Sequence, residues 1–506
     1  MSSERTAMTS VDRSWLRMDT PENPMMISAV LMFEQPIPIK RLKRTLEERF
    51  LRFRRFRQRV IEKGDKCYWE DDPNFDLDNH LHRIALPGQA SKKELQELAS
   101  DFNSTALDFR RPLWQIHYID NFNGGCALLI RIHHCIADGI SLVRVLLSLT
   151  DRTPEPKLER IAKKVAIPKP QGNAATRFLH RLVNSSQAGW QQAQLFLDSV
   201  RQEPNYPLKL ARTAGGIAMD LAKLGLAPFE PKTSLKSQLV GRKKVAWAEP
   251  LALDDVKHCA RTLGGTVNDV LLCAATGALS RHFTEHKQTI PDCGIRVAVP
   301  FNLRPLDQPI ESLGNQFGLV LVCLPVEVHD PLMCFRQVQE NMNRLKQSYQ
   351  AQVTYSLLDL FGRGPDILER RALDLLSNKA SAVLTNVPGP RHPVYLAGSK
   401  LVQPMFWVPQ SGNIGIGMSI FSYADTVQFG ITVDHVWLGK RGVDFGLFAK
   451  VKNRQRISSD DRELTFQILS ALDEADANEL LGMSQKGDIV KLFQQPEEMR
   501  GTLNTF

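Results

Sequence analysis

The sequence predicts a mixed α/β protein built from two domains. Apolar runs of strand length alternate with amphipathic runs of helical length over residues 1–150, and again over residues 243–434. That alternation is typical of sheets with helices packed on them. The chain has 506 residues, which exceeds the ~100 to 200 residues that one hydrophobic core usually organises. We therefore expect one core in each alternating region.

In the first region we expect three strands, at residues 27–33, 113–119 and 127–132. A turn signal at residues 121–125 separates the last two strands. A helix is expected at residues 38–53, and a second helix follows Ser91, where Glu94 completes a capping box. The third strand leads directly into two histidines, which makes its end the first candidate site.

The remaining chain is assigned by the same patterns. A basic, proline-containing stretch at residues 151–239 is interpreted as a linker with helices at 177–200 and 208–224. In the second region we expect a helix at 267–283 and strands at 295–300, 319–324, 382–385, 414–421 and 426–433. A last helix is expected at 460–472, before a polar end. The predicted division is a domain at 1–150, the linker at 151–239, a domain at 240–480 and a tail at 481–506.

Composition excludes several classes of protein. The chain is 43% hydrophobic and 24% charged, which is ordinary for folded soluble proteins. Its net charge of +9 attracts anions, but the sequence has no zinc-finger spacing or other nucleic-acid motif, so no nucleic-acid partner is expected. It has no secretory h-region and no run of ~18 apolar residues. Its 8 cysteines are scattered without a Cys-x-x-Cys pair, as in reduced cytoplasmic proteins.

The chemistry-bearing motif is His133-His134-Cys135-Ile136-Ala137-Asp138-Gly139. It follows a buried strand and precedes an apolar helix, a place where α/β proteins present reactive side chains. A neutral imidazole, with an ordinary pKa of about 6.5, suits removal of a proton from a hydroxyl group. Adjacent residues on a strand point to opposite faces, so only one histidine faces a given cavity and the pair does not suit one metal ion.

With this motif, several segments resemble the wax ester synthase/diacylglycerol acyltransferase family, within the wider set of chloramphenicol-acetyltransferase-like folds. His133, His134, Asp138 and Gly139 form the complete His-His-x-x-x-Asp-Gly signature. The other matching blocks, in the family's order, are Pro112-Leu113-Trp114, Asn268-Asp269, the residues 299–304 ending in Arg304, Leu313-Gly314-Asn315-Gln316, and Thr385-Asn386-Val387-Pro388-Gly389-Pro390.

This resemblance implies two chloramphenicol-acetyltransferase-like domains with a catalytic tunnel between them. His134 would be the general base for direct acyl transfer, with His133 beside it. Asp138 would turn away and pair with an arginine, for which Arg304 is the candidate, and a direct catalytic relay from Asp138 to His134 stays open as the alternative. Gly139 would let the chain turn closely into its helix. For Asn268 two interpretations stay open: a structural residue, either a helix N-cap or a buried hydrogen-bonding group, and an amide that faces the cleft opposite His134. Asp269 beside it is expected as structural support.

The implied substrates are acyl-CoA and a long-chain alcohol or diacylglycerol, with acyl-CoA a substrate rather than a cofactor and no metal. For the basic helices in the linker two interpretations stay open: peripheral contact with a membrane or lipid droplet, and packing on the protein's own surface. Two alternatives stay open: a condensation-type enzyme that uses a carrier-bound thioester, and an inactive lipid-binding protein. The preferred acceptor and the substrate-binding residues are not predicted.

Overall fold

A seven-stranded mixed sheet forms the first half of the protein. The computed structural model describes residues 5–155, 206–304, 313–363 and 376–434, apart from residues 65, 231, 232, 234, 237, 238, 293 and 411, and also residue 373. In spatial order the strands are β5 (Leu81–Ile84), β6 (Trp114–Ile119), β7 (Cys126–His133), β2 (Met26–Phe33), β15 (Ser399–Trp407), β14 (Tyr395–Leu396) and β8 (Thr150–Asp151). The three strands expected in this region are confirmed as β2, β6 and β7.

Strand β15 comes from the second half of the chain but completes the first sheet. It pairs antiparallel with β2, from Trp407 opposite Ser28 to Leu401 opposite Phe33, and β14 pairs with β8. Met405 and Trp407 bury their side chains beneath this sheet. The sequence patterns did not predict that β15 pairs with β2. The first sheet therefore contains residues that the predicted domain division assigns to 240–480.

Helices accompany the first sheet. They are α1 (Ser10–Arg17), α2 (Ile39–Thr45), α3 (Lys92–Asn103) and α4 (Gly139–Leu149). All but α2 begin at a residue whose side chain caps the helix. The capping box of α3 is confirmed, because the Ser91 backbone N–H donates to Glu94 Oε2 at 2.8 Å. The helix expected at 38–53 is confirmed over residues 39–50, although its last turn is π-helical, and it was wrong for residues 51–53. A π-helical turn and a 3-10 turn follow α2, and they let Phe56 stack on Phe50 with ring centroids 3.8 Å apart.

Two small strands and one from the N-terminus form a separate three-stranded sheet. It consists of β1 (Thr6–Ala7), β4 (Lys66–Asp71) and β3 (Gln58–Lys63), in that order. β3 and β4 make an antiparallel hairpin, and β1 pairs with the outer side of β4. This pairing holds the chain just before α1.

A second seven-stranded sheet organises the other half. Its strands are β10 (Leu251–Ala252), β17 (Thr426–Asp434), β16 (Ile416–Tyr423), β13 (Ala382–Pro388), β11 (Ile295–Asn302) and β12 (Phe317–Leu324), with β9 (Lys243–Trp247) also paired to β17. The helices α6 (Leu253–Thr262), α7 (Val267–Glu285), α8 (Pro331–Lys346) and α9 (Gln350–Arg363) accompany it. All five strands and the helix expected in this region are confirmed.

The N-terminal helix α1 joins the two halves. Ser14 Oγ donates to the backbone carbonyl of Leu358 in α9 at 3.2 Å, and Arg13 donates to the carbonyl of Gly362. Helix α1 also contacts the end of β7, because Trp15 of α1 stacks on His134, the residue after β7. His134 in turn contacts Phe317 at the start of β12 in the second sheet. The site is assembled there.

Within the linker, the structure describes the helix α5 (Tyr206–Leu226), which confirms the prediction for 208–224. It packs against α9 through Ile217, Leu224 and Val353. The helices expected at 177–200 and 460–472 lie outside the described residues. In the described ranges, none of the helices combines the length and the apolar character needed to cross a membrane.

Candidate active site

The His-His motif lies where β7 turns into α4. The backbone N–H of His133 donates to the carbonyl of Leu113, the residue just before β6, and that of His134 donates to the carbonyl of Met25. The turn that follows ends at Asp138, whose carboxylate accepts the backbone N–H of Ser141 at 2.8 Å and so caps α4. A charged side chain at an N-cap is favoured because the first helical N–H groups have no other partner.

The imidazole of His134 is enclosed by residues distant in sequence. Its ring stacks on Trp15 with centroids 4.0 Å apart and an interplanar angle of 14°. Phe317 lies on another side, with a centroid distance of 5.5 Å. Nδ1 of His134 lies 3.0 Å from Oδ1 of Asn315. The ring therefore sits at the junction of α1, the first sheet and the second half of the chain.

Burial keeps this imidazole neutral. Loss of hydration lowers the pKa of His134 from its ordinary value to about 4, and this outweighs the opposing effects of its own backbone, Asp138 and Asn315. At neutral pH the ring is then in the form that accepts a proton. A general base needs this form.

His133 is buried in a different environment. Its Nδ1 accepts the backbone N–H of Cys135 at 3.1 Å, and its Nε2 lies 3.5 Å from Oδ1 of Asp19. Phe109 meets the ring edge-on, with centroids 5.7 Å apart. The two histidines thus face different partners, as strand alternation predicts. Within the described ranges, no cluster of three or more His, Cys, Asp or Glu side chains could hold a metal ion.

Asp138 is a structural junction between the halves. Besides capping α4, its Oδ2 lies 3.3 Å from Nε of Arg304 and accepts the backbone N–H of Gln316 at 3.0 Å. The expected pair of Asp138 with Arg304 is present. The Arg304 guanidinium also donates to the carbonyl of Gly314 at 2.5 Å. Arg304 and Gln316 both come from the second half, so this carboxylate connects α4 to the segment around residue 315.

The N-cap role expected for Asn268 was wrong, but the alternative structural role, a side-chain hydrogen bond, is present in a partly buried position. Thr266 is the N-cap of α7, and Asp269 completes its capping box by accepting the Thr266 backbone N–H at 2.8 Å. Asn268 lies inside the first turn, and its Oδ1 accepts a hydrogen bond from Nδ2 of Asn386 on β13. The two asparagines of the sequence blocks therefore meet, and Asp269 supports the helix start.

A close backbone turn does not explain Gly139. Its φ is outside the left-handed region, and a Cβ added there would meet nothing nearer than Cγ2 of Val387, at 3.8 Å, an ordinary van der Waals distance. The expected backbone role was wrong, since the local fold accepts a side chain at this position. Nothing in the structure explains why this residue is glycine.

Cys135, between the histidines and Asp138, is fully buried. Burial raises the pKa of its thiol well above the ordinary value, so the reactive thiolate is disfavoured. Its side chain packs in the core of the first half.

Four side chains at or next to His134 escaped the sequence analysis as site residues: Asp12, Trp15, Asn315 and Phe317. Asn315 lay in a block that resembled the family but carried no predicted role. Asp12 and Trp15 gave no local signal, because their part in the site depends on α1 reaching a strand end more than a hundred residues later.

Comparison with known proteins agrees with this architecture. Family models for the wax ester synthase/diacylglycerol acyltransferase catalytic domain and for its C-terminal domain match residues 8–271 and 313–439. A probable diacylglycerol O-acyltransferase of Mycobacterium tuberculosis is 29% identical over 441 residues, which cover 85% of this chain and 91% of the relative. A putative diacylglycerol O-acyltransferase of the same species is 30% identical over 451 residues, covering 84% and 93%.

Solved structures share the fold. A wax ester synthase/diacylglycerol acyltransferase from Marinobacter aquaeolei VT8 superposes with a TM-score of 0.61 and 20% identity, covering 94% of this chain and 100% of that one. The first condensation domain of the calcium-dependent antibiotic synthetase gives a TM-score of 0.55 at 15% identity, covering 86% and 91%. Because the catalytic-domain model alone matches more than half of the 506 residues, the chain belongs to the wax ester synthase/diacylglycerol acyltransferase family.

Proposed function

We propose that this acyltransferase moves a long-chain acyl group from acyl-CoA to the hydroxyl group of a fatty alcohol or a diacylglycerol, with His134 as general base. The observation that carries the proposal is the neutral, buried imidazole of His134, held between Trp15 and Asn315. The acceptor classes come from the relatives, which are named as diacylglycerol O-acyltransferases and a wax ester synthase.

The reaction needs one proton acceptor. The alcohol proton moves to the imidazole as the alcohol oxygen forms a C–O bond with the thioester carbonyl. The C–S bond then breaks, and the sulfur of CoA takes the proton from the imidazolium. A positioned general base typically contributes about 10² to 10⁴ to the rate. Holding both substrates together contributes further, since it replaces a bimolecular encounter.

We favour direct transfer over an acyl-enzyme. The thiol of Cys135, which follows His134 in the sequence, is buried and its pKa is raised, and the sequence has no Gly-x-Ser-x-Gly nucleophile elbow. The rings of Trp15 and Phe317 beside His134 also provide apolar surroundings, which suit a hydrophobic alcohol better than water.

The similarity to condensation domains supports one alternative donor, a thioester on a carrier protein. Thiol release from palmitoyl-CoA, with long-chain alcohols and diacylglycerol as acceptors, distinguishes the two donors when it is compared with palmitoyl-acyl carrier protein. We expect turnover with palmitoyl-CoA and ester as the product. Turnover with the carrier-bound donor alone would favour the condensation-type reaction, and lipid binding without any thiol release would favour an inactive lipid-binding protein.

Peripheral contact with an anionic lipid surface is a second part of the proposal, and helix α5 supports it. Met219 and Leu226 are 57% and 85% exposed, and their spacing of seven residues puts them on one face. Ile217 and Leu224 on the opposite face pack against the protein. Lys223 lies next to Met219 and Leu226 on the helix surface, and its side chain is largely exposed. Apolar and basic side chains side by side are typical of interfacial helices.

Flotation with vesicles of equal parts phosphatidylcholine and phosphatidylglycerol tests this contact. We expect the protein to float with these vesicles, and the double variant Met219→Glu/Leu226→Glu to remain at the bottom of the gradient. Val402→Glu is the matched control, because Val402 is another exposed apolar residue, on β15. Equal flotation of all three proteins would rule out α5 as the contact.

A further inference from the structure

The side chain of Asn315 makes three hydrogen bonds in the buried site. Its Nδ2 donates to Oδ1 of Asp12 at 2.8 Å and to the backbone carbonyl of His134 at 2.8 Å. Its Oδ1 lies 3.0 Å from Nδ1 of His134. Asp12 and Asn315 are 0% and 4% exposed. An amide held at this many points has little freedom to turn.

The partners determine which way this amide points. A carboxylate oxygen and a carbonyl oxygen can only accept hydrogen bonds, so both must face the NH₂ group of Asn315. The amide oxygen is then the atom that faces His134. Since that oxygen is an acceptor, Nδ1 of His134 must carry the hydrogen. The lone pair of the neutral ring is therefore on Nε2.

The backbone around Asn315 is shaped for the same contact. The Asn315 backbone N–H donates to Oδ1 of Asp12 at 3.0 Å. Gly314, one residue earlier, has φ of 146°, and a Cβ added there would lie 3.3 Å from Oδ2 of Asp12. A residue with a side chain would be both strained and crowded at this position. Asp12 thus holds both the backbone and the side chain of Asn315.

We propose that Asn315, anchored by Asp12, is a positioning residue that holds His134 in its Nδ1–H tautomer, with Nε2 as the atom that accepts the alcohol proton. The inference rests on the proposed function of His134. When Nε2 takes the proton, Nδ1 keeps its hydrogen bond to Oδ1 of Asn315. The positively charged ring then contacts the oxygen of the Asn315 amide, while the nitrogen of the same amide contacts the Asp12 carboxylate. Asn315 fixes the orientation of the His134 ring, and Asp12 fixes the position of the Asn315 amide.

The tautomer can be measured directly. In protein labelled with ¹⁵N-histidine, the His134 resonances, assigned by their loss in His134→Gln, should show a protonated Nδ1 and an unprotonated Nε2 at pH 7. A hydrogen on Nε2 in the unmodified protein would overturn the inference by itself, whether or not any variant folds.

Substitutions at Asn315 and Asp12 separate the effect of the His134 ring orientation from the effect of the charge on Asp12. Asn315→Ala should lower kcat about 100-fold, at the lower end of the contribution of a general base, with KM for palmitoyl-CoA within about twofold, and the tautomer should become mixed. Asp12→Asn keeps an acceptor oxygen for Asn315 but removes the charge, so we expect a loss of about tenfold in kcat and an unchanged tautomer. Asp12→Ala removes both and should resemble Asn315→Ala.

Asn23→Ala is the matched control. Asn23 is also buried, and its amide contacts the backbone carbonyls of Gly412 and Ile414 and the ammonium group of Lys243. We expect it to lose stability without a change in tautomer or a tenfold change in kcat. An Asn315→Ala enzyme that behaves like Asn23→Ala would overturn the positioning role. Full activity of His134→Ala would instead refute the proposed function itself.

Discussion

His133 and His134 are adjacent in sequence, but their Nδ1 atoms have opposite hydrogen-bonding roles. The Nδ1 atom of His133 accepts a backbone N–H, while that of His134 faces an amide oxygen. Strand alternation predicted that they face apart. It could not predict the neighbours, because Trp15 and Asn315 lie far away in sequence and reach the ring only in the folded chain.

Replacing each histidine separately tests the assignment of the base. His134→Ala should abolish ester synthesis while the protein stays folded, because it removes the proton acceptor. His133→Ala should cost less than about tenfold in kcat. Initial rates of thiol release, with circular dichroism as the check on folding, compare them. An essential His133 together with a dispensable His134 would reverse the assignment.

The low pKa of His134 predicts an unusual pH profile. The neutral ring is the active form, and its pKa is about 4, so the acidic limb of kcat/KM should lie near pH 4 rather than near the ordinary 6.5. The backbone of His134 itself, Asp138, His133 and Asn315 are the other groups that act on this pKa. Rates at pH 5 and pH 7, with folding verified, should be similar. A fall centred near pH 6.5 would contradict the buried, neutral state.

The same shift predicts a loss of stability in acid. The unfolded chain binds a proton at His134 below about pH 6.5, while the folded chain does so only near pH 4. Between these values the unfolded state holds more protons, so stability falls as the pH is lowered through this window. His117 on β6, with a pKa lowered to about 4, acts in the same direction. Melting temperatures from pH 7 to pH 4.5 should decline.

Among the elements, α4 was predictable and α1 was not. The apolar periodicity and Asp138 at the start of α4 are local signals, and the structure agrees with them. Helix α1 is a short element of eight residues, and its importance lies in its contact with α9. Contacts between distant elements leave no periodic signal in a single sequence.

The junction at the start of α4 is testable through Asp138. Asparagine is also a good N-cap, so Asp138→Asn keeps the helix start and removes the charge opposite Arg304. Leaving one partner of a buried ion pair alone costs about 3 to 5 kcal/mol. We expect a lower melting temperature as well as lower activity, and Arg304→Gln should be largely non-additive with it. A variant of normal stability but no activity would indicate a direct catalytic role.

The contact of α1 with α9 is testable at Gly362. A Cβ added there would lie 2.1 Å from the backbone oxygen of Ser10, a distance that no side chain can adopt. Gly362→Ala should therefore push α1 away, displace Trp15 from His134, and lower both kcat and the melting temperature. Gly215→Ala in α5 is the control, because no atom lies within 4 Å of its added Cβ. Unchanged activity in Gly362→Ala would show that the position of α1 is not required.

For the whole molecule, the α/β class and two sheets followed from the strand and helix patterns, but their connection did not. Strand β15 crosses from the second half into the first sheet, and strand pairing between distant segments depends on packing that a single sequence does not display. The two halves are therefore not separable at residue 239 or 240 without opening the first sheet. His134 lies where they meet, which suits a reaction between two substrates. The catalytic tunnel itself stays a prediction.

The most direct test of this account is the steady-state kinetics with both substrates varied. In direct transfer, acyl-CoA and alcohol must be bound together before His134 can act. Double-reciprocal plots of initial rate against palmitoyl-CoA, at several alcohol concentrations, should therefore intersect. Parallel lines, together with an acyl group trapped on Cys135 when alcohol is absent, would show a covalent intermediate and contradict direct transfer by His134.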